Sequence, residues 1–250
     1  MRMASDLVEA GDVPRARGRI ASYAHEGARP AWAPPMTLMD ELFWTNGGPV
    51  VHKWHHYLPI YDRYLGPWRG RPVRMLEIGV SRGGSMALWR KFLGPEAVLF
   101  GIDIDPACAA FDGQAAQVRI GSQADPEFLR KVVAEMGGVD IVLDDGSHVS
   151  RHIRASLDVL YPLVSEGGLY MIEDLHACYW RSYGGGYRRP GSFLETVKTM
   201  IDDIHHWYHD QGEHIPATAG HLGAIHVYDS MVVLEKMTVS PPRHSRRGRE

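Results

Sequence analysis

The sequence predicts an α/β protein whose mostly parallel sheet ends in an antiparallel hairpin and follows an N-terminal helical arm. Two observations predict this fold. Short apolar runs alternate with helix-like runs between residues 74 and 172, which is typical of strands that are buried on both faces and joined by helices. The last two apolar runs, residues 224–228 and 231–236, are separated by Asp229 and Ser230 alone, a spacing typical of a tight hairpin.

The elements follow in order along the chain. Residues 1–50 are predicted to form an N-terminal arm with a helical segment, because prolines near its end exclude one long helix. A helix is predicted from Val51 to Leu65, where apolar residues recur at helical spacing. Residues 51–240 form the main domain, and residues 241–250, rich in arginine, are expected to be a disordered tail. The predicted strands span 74–78, 98–102, 118–120, 139–143, 168–172, 224–228 and 231–236, and the further helices span 85–92, 126–136 and 153–163.

Composition narrows the range of partners. The chain has 250 residues, 44% of them hydrophobic, and 27 Lys and Arg against 30 Asp and Glu give a net charge of -3. This balance disfavours a general electrostatic grip on nucleic acid or on a membrane surface, and a small-molecule partner is expected. Cys108 and Cys178 lie too far apart for a disulfide framework or a zinc motif. The sequence shows neither an apolar run of about 18 residues nor the pattern of a signal peptide, so a cytoplasmic location is expected.

The loop after the first strand is rich in glycine and indicates a ligand site. Gly79, Gly83 and Gly84 follow that strand, and such a turn lets a ligand approach the backbone at the start of a helix. A dinucleotide fingerprint would need glycine in place of Ser81, so a nicotinamide cofactor is disfavoured. The pattern is similar to the loop that binds S-adenosylmethionine (SAM). The candidate cofactor residues in this part of the chain are Glu77, Gly79 and Ser85.

Further candidate cofactor residues follow the next strands. Asp103 ends the second strand, where a carboxylate can accept both ribose hydroxyls. Ser122 and Gln123 follow the third strand, at the position where proteins with a similar SAM loop usually bind adenine. Alternatively, Asp103 caps a turn and Gln123 is an ordinary loop residue. Tyr57 precedes the sheet in a histidine-rich segment that either meets the carboxylate of SAM or caps a surface helix.

Four acidic residues follow two neighbouring strands and indicate a metal site. Asp144 and Asp145 come after one strand, and Glu173 and Asp174 come after the next. If these strands are adjacent, the four acids meet at the carboxyl edge of the sheet, and a cation is the simplest way to keep them ionised. An all-oxygen set favours Mg²⁺, or else Mn²⁺ or Ca²⁺. Because successive strand residues face opposite sides, Asp145, Glu173 and Asp174 are assigned to the metal and Asp144 to SAM. The alternative is that these acids cap helices.

A histidine near these acids is a candidate general base. His148 lies three residues after Asp145, and an imidazole with an ordinary pKa of about 6.5 can accept a proton from a sugar or alkyl hydroxyl. Alternatively it is a hydrogen-bonded turn residue. Residues 183–191, with three consecutive glycines, either form a lid over the site or are a surface insertion.

These motifs together resemble the metal-dependent sugar O-methyltransferases of antibiotic biosynthesis, a family with the class I methyltransferase fold. The resemblance covers about residues 45 to 180, including Lys53, Tyr57 and Tyr61, and its specific part is Asp-Asp-Gly-Ser-His at 144–148 with Ile-Glu-Asp at 172–174. It implies SAM, Mg²⁺ at the three assigned acids, a base at His148 and a homo-oligomer. The implied acceptor is a glycoside or oligosaccharide, either a deoxysugar of a natural product or a mannose or rhamnose of a polysaccharide or glycolipid.

Two other functions stay open at this point. A catechol or small-phenol O-methyltransferase would share the metal, but such enzymes carry lysine at the position that His148 occupies here. A protein that binds SAM without turnover would keep the same loop. Methylation of nucleic acid is disfavoured by the charge and by the absence of an Asn-Pro-Pro-Tyr-like loop.

Overall fold

A computed structural model describes residues 23–25, 27–30 and 36–249 of the chain. Its seven-stranded sheet has the order β3-β2-β1-β4-β5-β7-β6, with β1 to β5 parallel and β7 antiparallel to both of its neighbours. The predicted parallel sheet with a closing antiparallel hairpin is therefore confirmed. The bounds of the strands are β1 Arg74–Ile78, β2 Val98–Asp103, β3 Gln117–Ile120, β4 Val139–Asp144, β5 Val164–Ile172, β6 Leu222–Tyr228 and β7 Met231–Lys236.

Helices cover both faces of this sheet. They are α1 Leu38–Trp44, α2 Leu58–Leu65, α3 Gly84–Leu93, α4 Pro126–Met136, α5 Ser150–Leu160 and α6 Phe193–Asp203. Buried apolar residues form two clusters, one packed with α1 to α3 and the other with α4 to α6. Alternate residues of β1 divide between them, since Met75 lies in the first cluster and Leu76 in the second. Strands buried on both sides explain the continuous apolar runs in the sequence.

The predicted helix from Val51 begins later than expected. Residues 51–54 are not helical, a short 3₁₀ turn covers His55–Tyr57, and α2 then starts at Leu58. Pro59 lies in the first turn of α2, where its missing amide costs nothing, whereas a helix started at Val51 would lose a hydrogen bond there. The predicted start at Val51 was wrong because this proline lies in the first turn of the helix and not in its interior.

The hairpin between β6 and β7 brings its turn to the carboxyl edge of the parallel strands. Ser230 adopts a left-handed conformation with φ of 63°, although glycine is the usual residue there. Its carbonyl accepts the amide of Leu175 at 2.9 Å, and its hydroxyl lies 2.5 Å from Nδ1 of His176. The hairpin turn is thereby tied to the segment that follows β5.

The two ends of the chain are described only in part. The predicted arm, residues 1–50, lies mostly outside the described residues, except that α1 is its helical segment. Residues 241–249 are exposed and form no helix or strand, and their disorder stays a prediction, as do the domain bounds. In the part of the chain that the structure describes, every helix is too short or too polar to cross a bilayer.

Candidate active site

The carboxyl ends of β1, β4 and β5 meet at one edge of the sheet. Ile78 of β1 pairs with Asp144 of β4, which pairs with Ile172 of β5, so the residues after these three strands are neighbours. The ladder continues past the strands, because the amide of Asp145 donates to the carbonyl of Ile78 at 3.0 Å and that of Glu173 to Asp144 at 2.9 Å. The predicted convergence of the acidic residues is therefore present in the structure.

Asp145, His148 and Asp174 form a compact cluster at this edge. One ligand atom from each lies within 4.8 Å of the others, and Nε2 of His148 is 3.8 Å from a carboxylate oxygen of both acids. His148 and Asp174 both adopt left-handed backbone conformations, with φ of 56° and 55°, which cost about 1–2 kcal/mol for residues with a Cβ. Such strain is typical of functional sites. Burial alone would raise the pKa of Asp174, but the neighbouring imidazoles of His148 and His176 lower it below its ordinary value.

The third predicted ligand, Glu173, lies behind this cluster and contacts a buried lysine. The ammonium of Lys53 is 2.8 Å from Oε2 of Glu173 and 2.5 Å from Oδ2 of Asp145, and Tyr61 donates to the other oxygen of Glu173. Burial would lower the pKa of Lys53, but Asp145, Glu173 and Glu77 outweigh it and raise that pKa. Burial and the charge of Asp145 raise the pKa of Glu173, against the effect of Lys53.

The charge and the donor atoms of these acidic residues determine whether they fit a metal ion. Three carboxyl groups surround one ammonium group, so negative charge is in excess when all three are ionised, and the ammonium of Lys53 bridges Asp145 and Glu173. The proposed ligands Asp145, Glu173 and Asp174 offer carboxylate oxygens, a set that suits Mg²⁺ or Mn²⁺. Opposite ligands of Mg²⁺ lie about 4.2 Å apart, close to the span of the cluster. The residues therefore fit a divalent cation.

The glycine loop lies directly against the acidic cluster. Gly79 has a φ of 99°, and a Cβ at this position would overlap the carbonyl of Asp145. Oε2 of Glu77 accepts a hydrogen bond from Ser85 at 2.7 Å, while Oε1 is buried without a hydrogen-bond partner among the described residues. Burial raises the pKa of Glu77 to about 7, with Lys53 opposing the shift. Oε1 lies 4.0 Å from the ammonium of Lys53, and the contact of Glu77 with SAM stays a prediction.

Asp103 and Ser122 accept hydrogen bonds from backbone amides of the described residues. Oδ2 of Asp103 accepts the amides of Val80 and Ser81 at 2.9 and 3.0 Å, and Oδ1 accepts the amide of Asp105. Asp103 therefore shapes the glycine loop and caps the following turn, and its contact with ribose stays a prediction. Ser122 accepts the amide of Ala124, and its contact with the cofactor also stays a prediction.

Gln123 and Asp144 lie beneath the crevice rather than on its surface. The side-chain amide of Gln123 donates to Asp144 at 3.1 Å and accepts the amide of Ser147, and Ser156 of α5 donates to Asp144 at 2.7 Å. Asp144 is 1% exposed, and burial raises its pKa to about 6. Gln123 and Asp144 are thus partners of each other in this structure, and their contact with SAM stays a prediction. The alternation of strand residues turns Asp144 away from Asp145 and towards α5.

Residues before the sheet contribute more to the site than the sequence indicated. Tyr57, predicted to bind the cofactor, is fully buried, and its hydroxyl lies 2.9 Å from Oδ1 of Asp174. Trp54 donates to the same oxygen at 3.2 Å. Tyr57 is thus a partner of the acidic cluster in this structure. Trp54 was missed as a site residue, whereas Tyr61 entered only through the family resemblance, and Lys53 through that resemblance and the segment that could meet the carboxylate of SAM.

The segment predicted as a lid is only partly open. Gly185 is buried against the carbonyl of Cys178, which also accepts hydrogen bonds from Gly186 and Ser192. Tyr187, by contrast, is 76% exposed. The first part of residues 183–191 is therefore packed on the domain, and a lid function stays a prediction.

The strand order, the glycine loop after β1 and the acids after β4 and β5 define a class I methyltransferase domain. A family model described as a methyltransferase domain matches residues 76–175. The chain is 38% identical over 73% of its length to 8-demethyl-8-(2-methoxy-alpha-L-rhamnosyl)-tetracenomycin-C 3'-O-methyltransferase of Streptomyces olivaceus, covering 50% of that protein. It is 34% identical over 88% of its length to mycinamicin VI 2''-O-methyltransferase of Micromonospora griseorubida, covering 56% of that protein.

Solved structures agree with these relatives. The chain is similar to the MycE methyltransferase of the mycinamycin biosynthetic pathway in complex with Mg, SAH and mycinamycin VI, with a TM-score of 0.70 and 32% identity over 83% of this chain and 55% of that one. The predicted resemblance to the sugar O-methyltransferases of antibiotic biosynthesis is thus confirmed. The chain spans about half the length of the curated relatives that it matches.

Proposed function

We propose that this domain transfers the methyl group of SAM to a hydroxyl of a sugar carried by a glycosylated natural product. The observation that carries the proposal is the cluster of Asp145, His148 and Asp174, which adjoins the glycine loop at Gly79. A base beside two carboxylates suits the activation of a neutral hydroxyl. The relative from Streptomyces olivaceus, an O-methyltransferase of a rhamnosyl-tetracenomycin-C, supports the sugar as acceptor.

Asp145, Glu173 and Asp174 are proposed to hold a divalent ion, most simply Mg²⁺. The supporting observations are the excess negative charge around Lys53 and the MycE structure that was solved with Mg. When bound, such an ion lowers the pKa of an acceptor hydroxyl and orients it. Tyr57 and Trp54 hold one oxygen of Asp174 and leave the other facing His148.

His148 is proposed to remove the proton of the acceptor hydroxyl. The oxygen forms a bond to the methyl carbon as the bond from that carbon to sulfur breaks, so the products are the methyl ether and S-adenosylhomocysteine, and the proton stays on His148. The sulfonium is already electrophilic, so alignment of the reacting groups supplies much of the rate, up to about 7–11 kcal/mol in favourable cases. The domain contributes His148 as the base and holds the carboxylates of Asp145 and Asp174 in fixed positions beside it.

The test is a SAM turnover assay with deoxysugar glycosides, hexosides and catechols, each with and without EDTA followed by Mg²⁺. The proposal expects methylation of a glycoside that EDTA abolishes and Mg²⁺ restores. Faster turnover of a catechol than of any glycoside would favour the phenol enzyme. SAH binding without turnover of any acceptor would favour a binding protein. Turnover that resists EDTA would remove the metal from the proposal.

The His148→Ala variant then separates two roles of this imidazole. If His148 is the base, the variant should lose turnover but keep the Mg²⁺ affinity of the wild type, which calorimetry measures. Weaker Mg²⁺ binding in the variant would make His148 a ligand instead. The homo-oligomer and the cytoplasmic location stay predictions, and gel filtration with light scattering tests the first.

A further inference from the structure

The buried ammonium of Lys53 lies among carboxylates from three parallel strands. Its Nζ is 2.5 Å from Oδ2 of Asp145 and 2.8 Å from Oε2 of Glu173, which follow β4 and β5. The third acidic neighbour is Glu77 of β1, whose Oε1 is 4.0 Å from Nζ. The ammonium therefore neutralises charge that three strands bring to one edge of the sheet.

Lys53 occupies oxygens that a divalent ion would need. Both oxygens of Glu173 have donors, since Oε2 accepts the ammonium of Lys53 and Oε1 accepts the hydroxyl of Tyr61. Asp145 turns Oδ1 towards His148 and gives Oδ2 to Lys53. A divalent ion held by Asp145 and Glu173 would share these carboxylates with an ammonium, and like charges so close together repel each other. Lys53 and the ion therefore compete for the two acids.

Glu77 offers the ammonium another partner nearby. Its Oε2 accepts the hydroxyl of Ser85 at 2.7 Å, whereas Oε1 is buried without a hydrogen-bond partner among the described residues. A shift of Nζ by about 1 Å would bring it within hydrogen-bond distance of this oxygen. Because a lysine ammonium ends a flexible four-carbon chain, such a shift needs no movement of the backbone.

We propose that Lys53 is a positioning residue that occupies the cation position between Asp145 and Glu173 and moves to Glu77 when a divalent ion binds these two acids. The inference rests on the metal ion of the proposed function and adds the residue that sets its affinity. The movement frees an oxygen of Glu173 without leaving a buried ammonium unpaired, which would be costly. The lysine keeps its proton in both positions. Lys53 thereby weakens metal binding, and Glu77 limits this effect.

The test measures Mg²⁺ affinity by calorimetry at a pH of about 8, above the pKa of about 7 of Glu77. Lys53→Met removes the competing charge and is expected to bind Mg²⁺ at least about tenfold more tightly than the wild type, which corresponds to about 1.4 kcal/mol. Glu77→Gln removes the partner that receives the lysine and is expected to bind Mg²⁺ at least about tenfold more weakly. Unchanged or weaker binding by Lys53→Met would make the lysine a mere support of the acids and overturns the inference.

A double variant separates the movement of Lys53 from a plain charge effect of Glu77. If Glu77 acts by receiving the lysine, its loss matters only while the lysine is present. Glu77→Gln should therefore change Mg²⁺ affinity by less than about threefold in the Lys53→Met background. An equal effect in both backgrounds contradicts the movement and overturns the inference.

Lys236→Met is the matched control, because it makes the same substitution at another buried lysine. The ammonium of Lys236 donates to the carbonyls of Tyr161 and Pro162 at 3.0 and 2.8 Å, at the end of β7 that lies away from the site. This variant is expected to keep the Mg²⁺ affinity of the wild type. A change as large as that of Lys53→Met would show a general effect of losing a buried lysine and would count against the inference.

A crystal structure of the wild type with Mg²⁺ tests the movement without any variant. Nζ of Lys53 is expected within about 3.2 Å of Oε1 of Glu77. An ammonium that still bridges Asp145 and Glu173 beside the bound ion overturns the inference.

The inference and the proposed function fail in different ways. Mg²⁺-dependent methylation together with an affinity that ignores Lys53→Met refutes the inference and leaves the proposed function. Mg²⁺ binding that follows the expected pattern, without turnover of any acceptor, supports the inference and refutes the proposed reaction. No Mg²⁺ binding by the wild type or by Lys53→Met refutes the metal ion and the inference together.

Discussion

Asp140 connects three strands at the end of the sheet opposite the site. Its carboxylate accepts hydrogen bonds from Nε and Nη2 of Arg74 at 3.0 and 2.6 Å and from the Arg74 amide at 2.9 Å. Arg74 also donates to Ser165 of β5, whose hydroxyl donates to the carbonyl of Val139. This network spans β1, β4 and β5, which carry the glycine loop and the acids at their other ends. We expect Asp140→Asn to lower stability without changing the site.

The magnitude follows from the bonds that asparagine cannot make. An amide keeps one acceptor oxygen, so at least one of the two guanidinium bonds is lost together with the charge. Hydrogen bonds to charged groups contribute about 1.5–3 kcal/mol. The Arg74 side chain is 29% exposed, which screens the pair, so we expect a loss of about 1–2 kcal/mol. For a chain of this length, that lowers Tm by about 2–8 °C.

The effect depends on pH with a definite sign. Burial alone would raise the pKa of Asp140, but hydrogen bonds from Arg74 and Ser165 outweigh it and lower the pKa. Its stabilising effect is therefore fully present above the unfolded pKa of about 3.9 and is lost as the pH falls through the lower folded pKa. The difference in stability between wild type and Asp140→Asn should be constant from about pH 6 to 8 and shrink below about pH 4.

Urea unfolding across this pH range measures the difference, and SAM turnover at 25 °C checks the site. Asp158→Asn is the control, because Asp158 pairs with Arg154 on the exposed face of α5, and it should cost at most about 0.5 kcal/mol. A difference that grows as the pH falls below 4, or a loss no larger than that of the control, would refute the reasoning.

Three further predictions concern the site itself. His148→Ala should lower kcat by about 10²–10⁴-fold with nearly unchanged SAM affinity, and near-normal turnover would remove the residue from the mechanism. Gly79→Ala should lower the free energy of unfolding in urea by about 1–3 kcal/mol more than Gly113→Ala does. Both variants strain a positive φ, but only the Cβ at position 79 meets the carbonyl of Asp145. Equal losses in the two variants would argue against this close contact. Lys53→Met should destabilise the domain by about 3–5 kcal/mol, and Mg²⁺ should raise Tm more in this variant than in the wild type; no response to Mg²⁺ in either would count against the metal site.

The strands of the parallel sheet could be predicted because burial on both faces leaves continuous apolar runs in the sequence. The first half of β5 could not be predicted, because Ser165, Glu166 and Gly167 carry no apolar signal. The strand nevertheless begins at Val164 and includes these three residues before it reaches Leu169. The end of α6 at Asp203 could not be predicted either. The buried carboxylate of Asp203 accepts the amides of His214 and Ile215 and so turns the chain.

The acidic part of the site could be predicted from the topology of the sheet. Adjacent parallel strands place Asp145 and Glu173 side by side, and strand alternation separates Asp144 from Asp145. Lys53 could not be predicted in this way. It lies 92 residues before Asp145 and 120 before Glu173, and the packing of the segment before α2 on the edge of the sheet, which has no short-range signal in one sequence, brings it there.

The charges of the assembled site favour the proposed reaction over simple binding. Glu77, Asp145, Glu173 and Asp174, when ionised, carry four negative charges against the one ammonium of Lys53, leaving three to be balanced. A divalent ion together with SAM, which has a net charge of one, would balance them. In the proposed transfer His148 would gain the proton of the acceptor while sulfur loses its charge, so the positive charge would stay in the site. The proton would then lie on an imidazole whose Nε2 is 3.8 Å from a carboxylate oxygen of both Asp145 and Asp174.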